Sequence, residues 1–398
     1  MRILFLDDDG MTELAPYVRF LGHVPVVLRT GVYDRWHDNE STDPQLEVHT
    51  VHPESTPMEV LDQARKLHPD ALVSLALLDP YCWRDAIVAD YFRECMRIPV
   101  IANAPACVLL AADKWRTKQL LKEHGIAVSE AMPVADLGGA LEAARVMGFP
   151  LVLKRNDGYS GQGMRLFEHA EQLQRFYRRQ PSHMIAEHFE DAIELSVDVL
   201  RWNGRVTPLT VIDKGQTERD LRRHPIYRLR LAPAQLDRET CESVLSTAGR
   251  AVDALGLVGL AECELLLHPT KGPLVLEVNP RLAGTSRLSA AATGLDLHKC
   301  LVNMALGRYD ADGLTIKQHV AVQIPATGAL TQEVLARLAA NEAVKFVKPI
   351  DWMPELGISA SLTVASLDPE NLAETLQEID TYLSLQPALS ALRLRMAI

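Results

Sequence analysis

Short apolar runs alternate with amphipathic stretches over the first hundred residues. The apolar runs predict strands at residues 3–6, 24–28, 71–74 and 99–102. The amphipathic stretches between them predict helices at residues 11–21, 57–67 and 83–96. Because strands that alternate with helices usually lie side by side in a parallel sheet, we expect a small parallel α/β unit at the N-terminus.

The hydrophobic pattern is mixed in the rest of the chain. It predicts helices at residues 114–124, 137–147, 170–179, 234–255 and 286–306. It predicts strands at residues 128–134, 149–155, 184–187 and from residue 194 onward. Strands at residues 321–325 and 360–364 combine with helices at 331–341 and 369–383, a pattern typical of a small α+β module.

Acidic and amide side chains follow one of the apolar runs in a pattern that suits a metal ion. Glu277 and Asn279 come directly after residues 274–276, and side chains two residues apart on a strand point to the same face. Glu264 lies upstream, and the intervening residues 268–273 read as a hairpin turn that would place it beside Glu277. Such oxygen ligands suit Mg²⁺ that carries nucleotide phosphates, although a solvated hairpin face would have the same pattern.

A second segment has the character of a phosphate-binding loop. The strand at residues 149–155 ends in Lys154 and Arg155 and leads into a glycine-rich segment, residues 156–165. Its three glycines let backbone N–H groups approach an anion closely. The spacing fits neither the P-loop nor the dinucleotide-binding motif. A glycine-rich hairpin without chemical use is the alternative.

These signatures belong to an ordered set that resembles the ATP-grasp superfamily of ATP-dependent ligases. The set comprises Asp113-Lys114 at a helix start, Lys154 before the glycine-rich segment, residues 185–189 with Glu194 seven residues after Glu187, and Glu264 with the run at 277–281. The resemblance covers residues 100–306 well and the two ends in outline.

The resemblance implies a role for each matching residue. Lys114 and Lys154 would contact the ATP phosphates, with Ser160, Gly161 and Gly163 in the flap that covers them. Glu187, His188 and Phe189 would meet the adenine, and Glu194 would hold the ribose hydroxyls. Glu264, Glu277 and Asn279 would hold one or two Mg²⁺, which Mn²⁺ could replace, and Arg281 would steady the transferred phosphoryl group.

The resemblance also implies a fold of the α/β and α+β classes. We expect an N-terminal Rossmann-like parallel α/β domain (residues 1–112), an ATP-grasp domain (113–310) and a small C-terminal α+β module (311–398). The central domain would carry a glycine-flap lid at about residues 130–190 and a metal-binding antiparallel sheet. The tail at residues 320–328 resembles the C-terminal module of amino-acid and dipeptide ligases.

The implied reaction joins a small-molecule carboxylate to an amine. ATP would convert the carboxylate into an acyl phosphate, and an amine would displace phosphate. We expect an amino-acid or dipeptide ligase, with amino-acid substrates. Carboxyphosphate chemistry, as in biotin carboxylase or carbamoyl-phosphate synthase, is the alternative reaction. A second alternative is a nucleotide-binding protein that catalyses no reaction. A signalling receiver domain is disfavoured because the third strand ends in Ser74 and no lysine ends the strand at 99–102.

Candidate substrate residues lie in two further segments. Residues 213–230 carry many cations, and residues 284–287 follow the metal pattern. From these segments we select Arg228, Gly284, Thr285 and Arg287 as candidate substrate residues. The two arginines could hold a substrate carboxylate. A basic surface loop is the alternative for residues 213–230.

Composition narrows the partners. The 398 residues carry a net charge of −11, which disfavours nucleic acids and anionic membranes as partners. The six cysteines include no C-x-x-C pair, and no apolar stretch reaches the eighteen residues of a membrane span. We expect a cytoplasmic enzyme, with a homodimer compatible with the sequence.

Overall fold

The computed structural model describes residues 1–29, 43–158, 163–177, 184–221, 225–350 and 354–385. A five-stranded sheet opens the chain. Its strands are β1 (Arg2–Leu6), β2 (Val24–Arg29), β3 (Glu47–Thr50), β4 (Ala71–Ser74) and β5 (Val100–Ile101). Its helices are α1 (Met11–Phe20), α2 (Pro57–Lys66), α3 (Asp79–Tyr91), which continues into a π-helical turn Phe92–Met96, and α4 (Pro105–Ala112). The strand order is β3-β2-β1-β4-β5 with all neighbours parallel, so the predicted parallel α/β unit is confirmed.

A four-stranded antiparallel sheet follows, in the segment that the sequence predicts to be the lid. Helix α5 (Lys114–Glu123) leads to it, and Asp113 caps that helix by accepting a hydrogen bond from the Arg116 N–H. The strands of this sheet and the two helices between them are β6 (Ala131–Val134), α6 (Leu137–Met147), β7 (Leu151–Arg155), β8 (Arg165–Phe167), α7 (Ala170–Tyr177) and β9 (Met184–His188). The strand order is β6-β9-β7-β8.

The largest sheet has eight strands and runs from the acidic hairpin to the C-terminal module. Its strands are β10 (Ile193–Trp202), β11 (Arg205–Gln216), β12 (Arg230–Ala232), β13 (Gly259–His268), β14 (Gly272–Asn279), β15 (Val320–Ala326), β16 (Val344–Pro349) and β17 (Ala360–Ser366). Helices α8 (Arg238–Ala254), α9 (Ser286–Thr293), α10 (Leu297–Ala305), α11 (Gln332–Ala340) and α12 (Pro369–Leu383) accompany it. The order β14-β13-β10-β11-β12-β15-β17-β16 makes the C-terminal strands continuous with the acidic hairpin.

Two sequence-based expectations need correction. The predicted helix at 286–306 is two helices, because Gly294 takes a left-handed conformation with φ 68° and ends α9. The segment at 213–230 is not one loop, since its first residues belong to β11 and Arg230 begins β12. The segment is therefore joined to the large sheet at both ends.

The N-terminal sheet packs on the large sheet through one continuous hydrophobic cluster. Ile3 and Val73 of the parallel sheet share this cluster with Leu260 of β13 and with Leu297 and Leu301 of α10. The loop after β1 therefore faces the loops that follow the acidic hairpin. In the part of the chain that the structure describes, no helix has the length and apolarity needed to cross a bilayer.

Candidate active site

Glu264 and Glu277 face each other across the antiparallel pair of β13 and β14. They are direct partners in the register of these strands, as the hairpin prediction required. Both side chains are partly buried, at 20% and 23% exposed. Burial raises the pKa of Glu264, opposed by Lys214 and reinforced by Glu262 and Glu277. Burial would also raise the pKa of Glu277, but Lys114 and Lys154 outweigh it and lower that pKa.

Glu262 fixes the orientation of Asn279. The two residues are partners in the same register, and the Asn279 Nδ2 donates to Glu262 Oε2 at 3.0 Å. The other oxygen of Glu262 accepts hydrogen bonds from the hydroxyls of Ser196 and Thr285, each at 2.6 Å. Because the Asn279 amide nitrogen is committed to Glu262, its oxygen is left to point elsewhere, as a metal ligand must.

Three lysines contact Glu277 and Glu187. The Lys114 Nζ lies 3.2 Å from Glu277 Oε2 and donates to the Gly158 carbonyl at 2.5 Å. The Glu187 carboxylate lies between Lys118 at 3.1 Å and Lys154 at 3.0 Å. Lys154 is 6% exposed, so it is a buried cation and not a solvated residue at a strand end.

Lys118 is the most deeply buried of these lysines. It is 1% exposed and donates to the Ser129 hydroxyl at 2.5 Å. Burial, with repulsion from Lys154, lowers the pKa of Lys118 to about 8 although Glu187 opposes the shift. The same two lysines outweigh burial at Glu187 and lower the pKa of its carboxyl group. Glu187 therefore carries its charge between two cations.

Two more acids of the site are paired with cations from β11 and the segment before β12. The Lys214 Nζ lies 2.8 Å from Glu264 Oε2, and the Arg228 guanidinium donates to Glu194. Glu194 was predicted to hold the ribose, and Arg228 was selected as a substrate residue. The structure brings Arg228 to the predicted ribose position.

Arg281 is anchored toward the N-terminal sheet. Its Nε donates to Asp79 Oδ1 at 2.5 Å and its Nη1 donates to the Leu282 carbonyl at 3.2 Å. Its Nη2 lies 3.4 Å from the Asn279 amide oxygen. The guanidinium is thus positioned beside a candidate metal ligand by a carboxylate that sequence reasoning had not singled out.

The predicted nucleotide-contact residues on the lid are only partly described. Ser160 and Gly161 lie outside the described residues, and Gly163 has a left-handed φ of 73°. His188 ends β9, and the Phe189 N–H donates to the Pro150 carbonyl at 2.9 Å. The Phe189 ring also lies 5.4 Å below the Arg219 guanidinium. The roles of these residues toward adenine and phosphate stay predictions.

The other predicted substrate residues fall in different surroundings. Thr285 is 3% exposed and its hydroxyl is bonded to Glu262, so its environment favours a structural role over substrate contact. Gly284 and Arg287 instead line a cavity of about 700 Å³. Arg287 lies 3.3 Å from Asp9 in the loop after β1, and the Gly284 carbonyl accepts a hydrogen bond from the Gln323 side chain.

The donor set fits Mg²⁺ better than a transition metal. Among the described residues, no group of three or more histidine, cysteine, aspartate or glutamate side chains could hold a metal ion. Two carboxylates and one amide remain, which is the hard oxygen set that Mg²⁺ shares with substrate phosphates. The nearby lysines suit those phosphates as compact point charges.

Sequence reasoning missed Lys118 and Glu262 as residues of the site. Lys118 lies four residues after Lys114 on α5 and so on the same helical face, a spacing that could have identified it. Glu262 lies two residues before Glu264 and shares its strand face. Lys214 lies in the basic segment 213–230, but its contact with Glu264 could not have been found without the pairing of β11 with β10 and of β10 with β13.

Comparisons with known proteins agree with this geometry. Residues 113–310 match the family described as "Carbamoyl-phosphate synthase L chain, ATP binding domain". The carbamoyl-phosphate synthase of Methanobrevibacter smithii is 29% identical over 287 residues, covering 71% of this chain and 76% of that protein. A D-alanine–D-alanine ligase of Pseudomonas putida is 27% identical over 221 residues, covering 52% and 68%.

A solved structure shares the fold over almost the whole chain. The L-amino acid ligase from Bacillus licheniformis superposes with a TM-score of 0.72 at 19% identity, covering 96% of this chain and 97% of that one. The fold and the convergence of lysines on paired acids define an ATP-dependent ligase of the ADP-forming kind. The chain belongs to the ATP-grasp superfamily.

Proposed function

We propose that this enzyme activates a substrate carboxylate as an acyl phosphate and joins it to an amine, with amino acids as the substrates. The observation that carries the proposal is the in-register pair Glu264 and Glu277, with Lys114 and Lys154 within the same group of charges and Arg281 beside Asn279. Such a set neutralises phosphoryl charge without a covalent protein intermediate. ADP and phosphate are the expected products.

The residues divide the work by their chemistry. Lys114 and Lys154 hold the phosphates, because a lysine is a mobile point charge with three donors. Arg281 orients the carboxylate or its acyl phosphate, because a planar guanidinium suits a fixed oxyanion. Asp79 supports Arg281, and Glu262 supports Asn279. Glu194 accepts hydrogen bonds from the ribose hydroxyls, and Arg228 steadies it.

Glu264, Glu277 and Asn279 would hold Mg²⁺. The ion would neutralise charge that develops on the phosphates and orient them for transfer. Lys114 contacts Glu277, and Lys214 contacts Glu264. The two lysines thereby hold these carboxylates on the face of the sheet that the phosphates would meet.

The second candidate is carboxyphosphate chemistry. It is favoured by the 29% sequence identity to a carbamoyl-phosphate synthase, in an alignment that covers 71% of this chain. In that reaction bicarbonate takes the place of the substrate carboxylate. The C-terminal strands and the cavity beside Arg287 favour a larger substrate, because a cavity of about 700 Å³ far exceeds the volume of bicarbonate and matches pockets for drug-sized ligands.

A screen of ADP release separates the two candidates. Pairs of amino acids and, separately, bicarbonate with ammonia are incubated with enzyme, ATP and Mg²⁺. We expect release above the background hydrolysis with at least one amino-acid pair and none with bicarbonate and ammonia. The variant Glu277→Gln, which keeps the shape and removes a charged ligand, should abolish that release, whereas the exposed Glu123→Gln should not. Release that requires bicarbonate would favour the second candidate instead.

A further inference from the structure

The open end of the acidic hairpin is joined by one side chain of the N-terminal unit, that is, the five-stranded sheet and its helices. Strand β13 begins at Gly259 and β14 ends at Asn279, and these two ends lie together because the strands are antiparallel. Asn103, just after β5, is 7% exposed. Its Nδ2 donates to the Pro280 carbonyl at 2.9 Å, and its Oδ1 accepts from the Val258 N–H at 2.6 Å. A single amide therefore connects the residue before β13 to the residue after β14.

The sequence at this end of the hairpin calls for an outside partner. Pro280 has no N–H, so the strand ladder cannot continue through it, and its buried carbonyl needs an acceptor's partner, which Asn103 supplies. Gly259 has a φ of 83°, and a Cβ at this position would lie 3.2 Å from the Ile101 side chain and 3.1 Å from that of Leu301. The start of β13 therefore packs closely against the N-terminal sheet at the same place where the Asn103 amide holds it.

A second residue of the N-terminal unit holds the side chain that follows Pro280. Asp79 is the first residue of α3, and its Oδ1 accepts from the Arg281 Nε at 2.5 Å. The two side chains are 21% and 11% exposed, so solvent screens this ion pair less than it screens a surface pair. The Arg281 Nη2 also lies 3.4 Å from the Asn279 amide oxygen. The hold on Arg281 therefore extends to the candidate metal ligand.

We infer that Asn103 and Asp79 are positioning residues of the reaction, through which the N-terminal unit fixes the geometry of Asn279 and Arg281. The inference rests on the proposed function for what Asn279 and Arg281 bind, whereas the two anchors rest on the contacts described above. Groups that are already oriented stabilise developing charge without being ordered during the reaction. Loss of either anchor should therefore lower kcat more than it weakens ATP binding, because the lysines assigned to the ATP phosphates belong to α5 and β7 instead.

The hold on the hairpin is tested first by hydrogen exchange of the full-length protein without substrates. We expect Asn103→Leu to speed amide exchange in peptides covering residues 258–262 and 279–284 by about 10-fold or more, the scale of one lost buried hydrogen bond. The matched control is Asn303→Leu, since the Asn303 amide oxygen accepts from the Tyr17 hydroxyl at 2.9 Å and so connects α10 to α1. This control should leave the two peptides unchanged.

Every outcome of the exchange measurement bears on the inference. Unchanged exchange at residues 258–262 and 279–284 would overturn it, and so would an equal rise over the whole chain, which would show general destabilisation. Asn103→Ala removes the same two hydrogen bonds with a smaller side chain, and it replaces Asn103→Leu if that variant does not fold.

The role in the reaction is tested with a double-mutant cycle, with ADP release measured for the substrates that the screen identifies. We expect Asp79→Ala to lower kcat about 10-fold or more, the scale of a hydrogen bond to a charged group, and to change the KM for ATP less. Asp79→Glu, which restores the carboxylate, should recover part of the loss. The control Asp90→Ala removes an exposed partner of Arg93 on the same helix and should keep the wild-type kcat.

The cycle separates positioning from a structural role. In an Arg281→Ala background, followed in single turnovers, Asp79→Ala should lower the rate less than about 2-fold further, because Asp79 acts through the guanidinium. Arg281→Lys, which lacks the Nε donor, is used instead if Arg281→Ala shows no turnover. Equal losses in both backgrounds, or a rise in the KM for ATP as large as the fall in kcat, would contradict the inference.

Failure of the proposed function would be visible separately. Wild-type turnover that requires bicarbonate, or that yields AMP, would refute the amino-acid ligase. The cycle would still decide whether Asp79 acts through Arg281, since it does not depend on which carboxylate reacts. If the wild type showed no turnover with any pair in the screen, the exchange measurement alone would decide whether Asn103 holds the hairpin.

Discussion

Each carboxylate that the sequence assigned to nucleotide or metal contacts a lysine or arginine in the folded chain. The pairs are Glu187 with Lys118 and Lys154, Glu194 with Arg228, Glu264 with Lys214, and Glu277 with Lys114. Removing one member of a buried pair leaves an uncompensated charge. A substitution here therefore affects stability as well as chemistry, and the two effects must be measured separately.

Lys154 provides the sharpest residue-scale prediction. We expect Lys154→Ala to lower turnover by roughly 10²- to 10³-fold, the scale of removing one preorganised electrostatic group, with a smaller loss of ATP affinity. The reason is that charge on the transferred group is redistributed as the bond breaks. Nucleotide binding and single-turnover rates check the split, with Lys122→Ala on the exposed face of α5 as the control. A loss of affinity as large as the loss of rate would show that Lys154 only binds ATP.

At the scale of elements, the site depends on how three strands pair. Strand β13 lies between β14 and β10, so Glu262 faces Asn279 on one side and Asp198 on the other. Asp198 is fully buried and accepts a hydrogen bond from the Ser286 hydroxyl at 3.1 Å. Burial and repulsion from Glu262 raise the pKa of Asp198 to about 8. The same strand pairing therefore orients the Asn279 side chain and raises the pKa of Asp198.

This proton gives a prediction for stability against pH. Between about pH 4 and pH 8 the folded chain keeps the Asp198 proton and the unfolded chain releases it, so stability should fall as pH rises through this window, by at most about 1.4 kcal/mol per pH unit. Asp198→Asn cannot titrate, so its decline should be shallower. Urea denaturation at about pH 5.5 and pH 7.5 measures the difference, with exposed Asp62→Asn as the control. Equal declines in wild type and Asp198→Asn would rule out a raised pKa.

The sequence was informative where the pattern was local. The hairpin that pairs Glu264 with Glu277, the parallel N-terminal strands and helix α6 were predicted and are confirmed. Strands β11, β12 and β16 were not predicted, because their place depends on neighbours distant in the chain. The same reason explains Lys214 and the Asp79 partner of Arg281, since neither contact follows from spacing along the sequence.

At the scale of the whole molecule, one sheet connects the acids of the site to the C-terminal strands. The order of its strands places β14 at one edge and β16 at the other. The loop after β1 lies against α9 and α10, since Asp9 contacts both Arg287 and His298. The chain therefore brings the predicted nucleotide, metal and substrate residues together from three parts of the sequence, as the proposed reaction of two substrates requires.

The central claim is that ATP phosphorylates a carboxylate in this site, and hydroxylamine tests it most directly. Enzyme, Mg²⁺-ATP and the substrate identified by the screen are incubated with hydroxylamine, and both the hydroxamate and the nucleotide product are measured. We expect a hydroxamate, the trapped acyl phosphate, formed in step with ADP and absent in Glu277→Gln. Turnover that yields AMP and pyrophosphate would contradict the account, even if every residue named here proved essential.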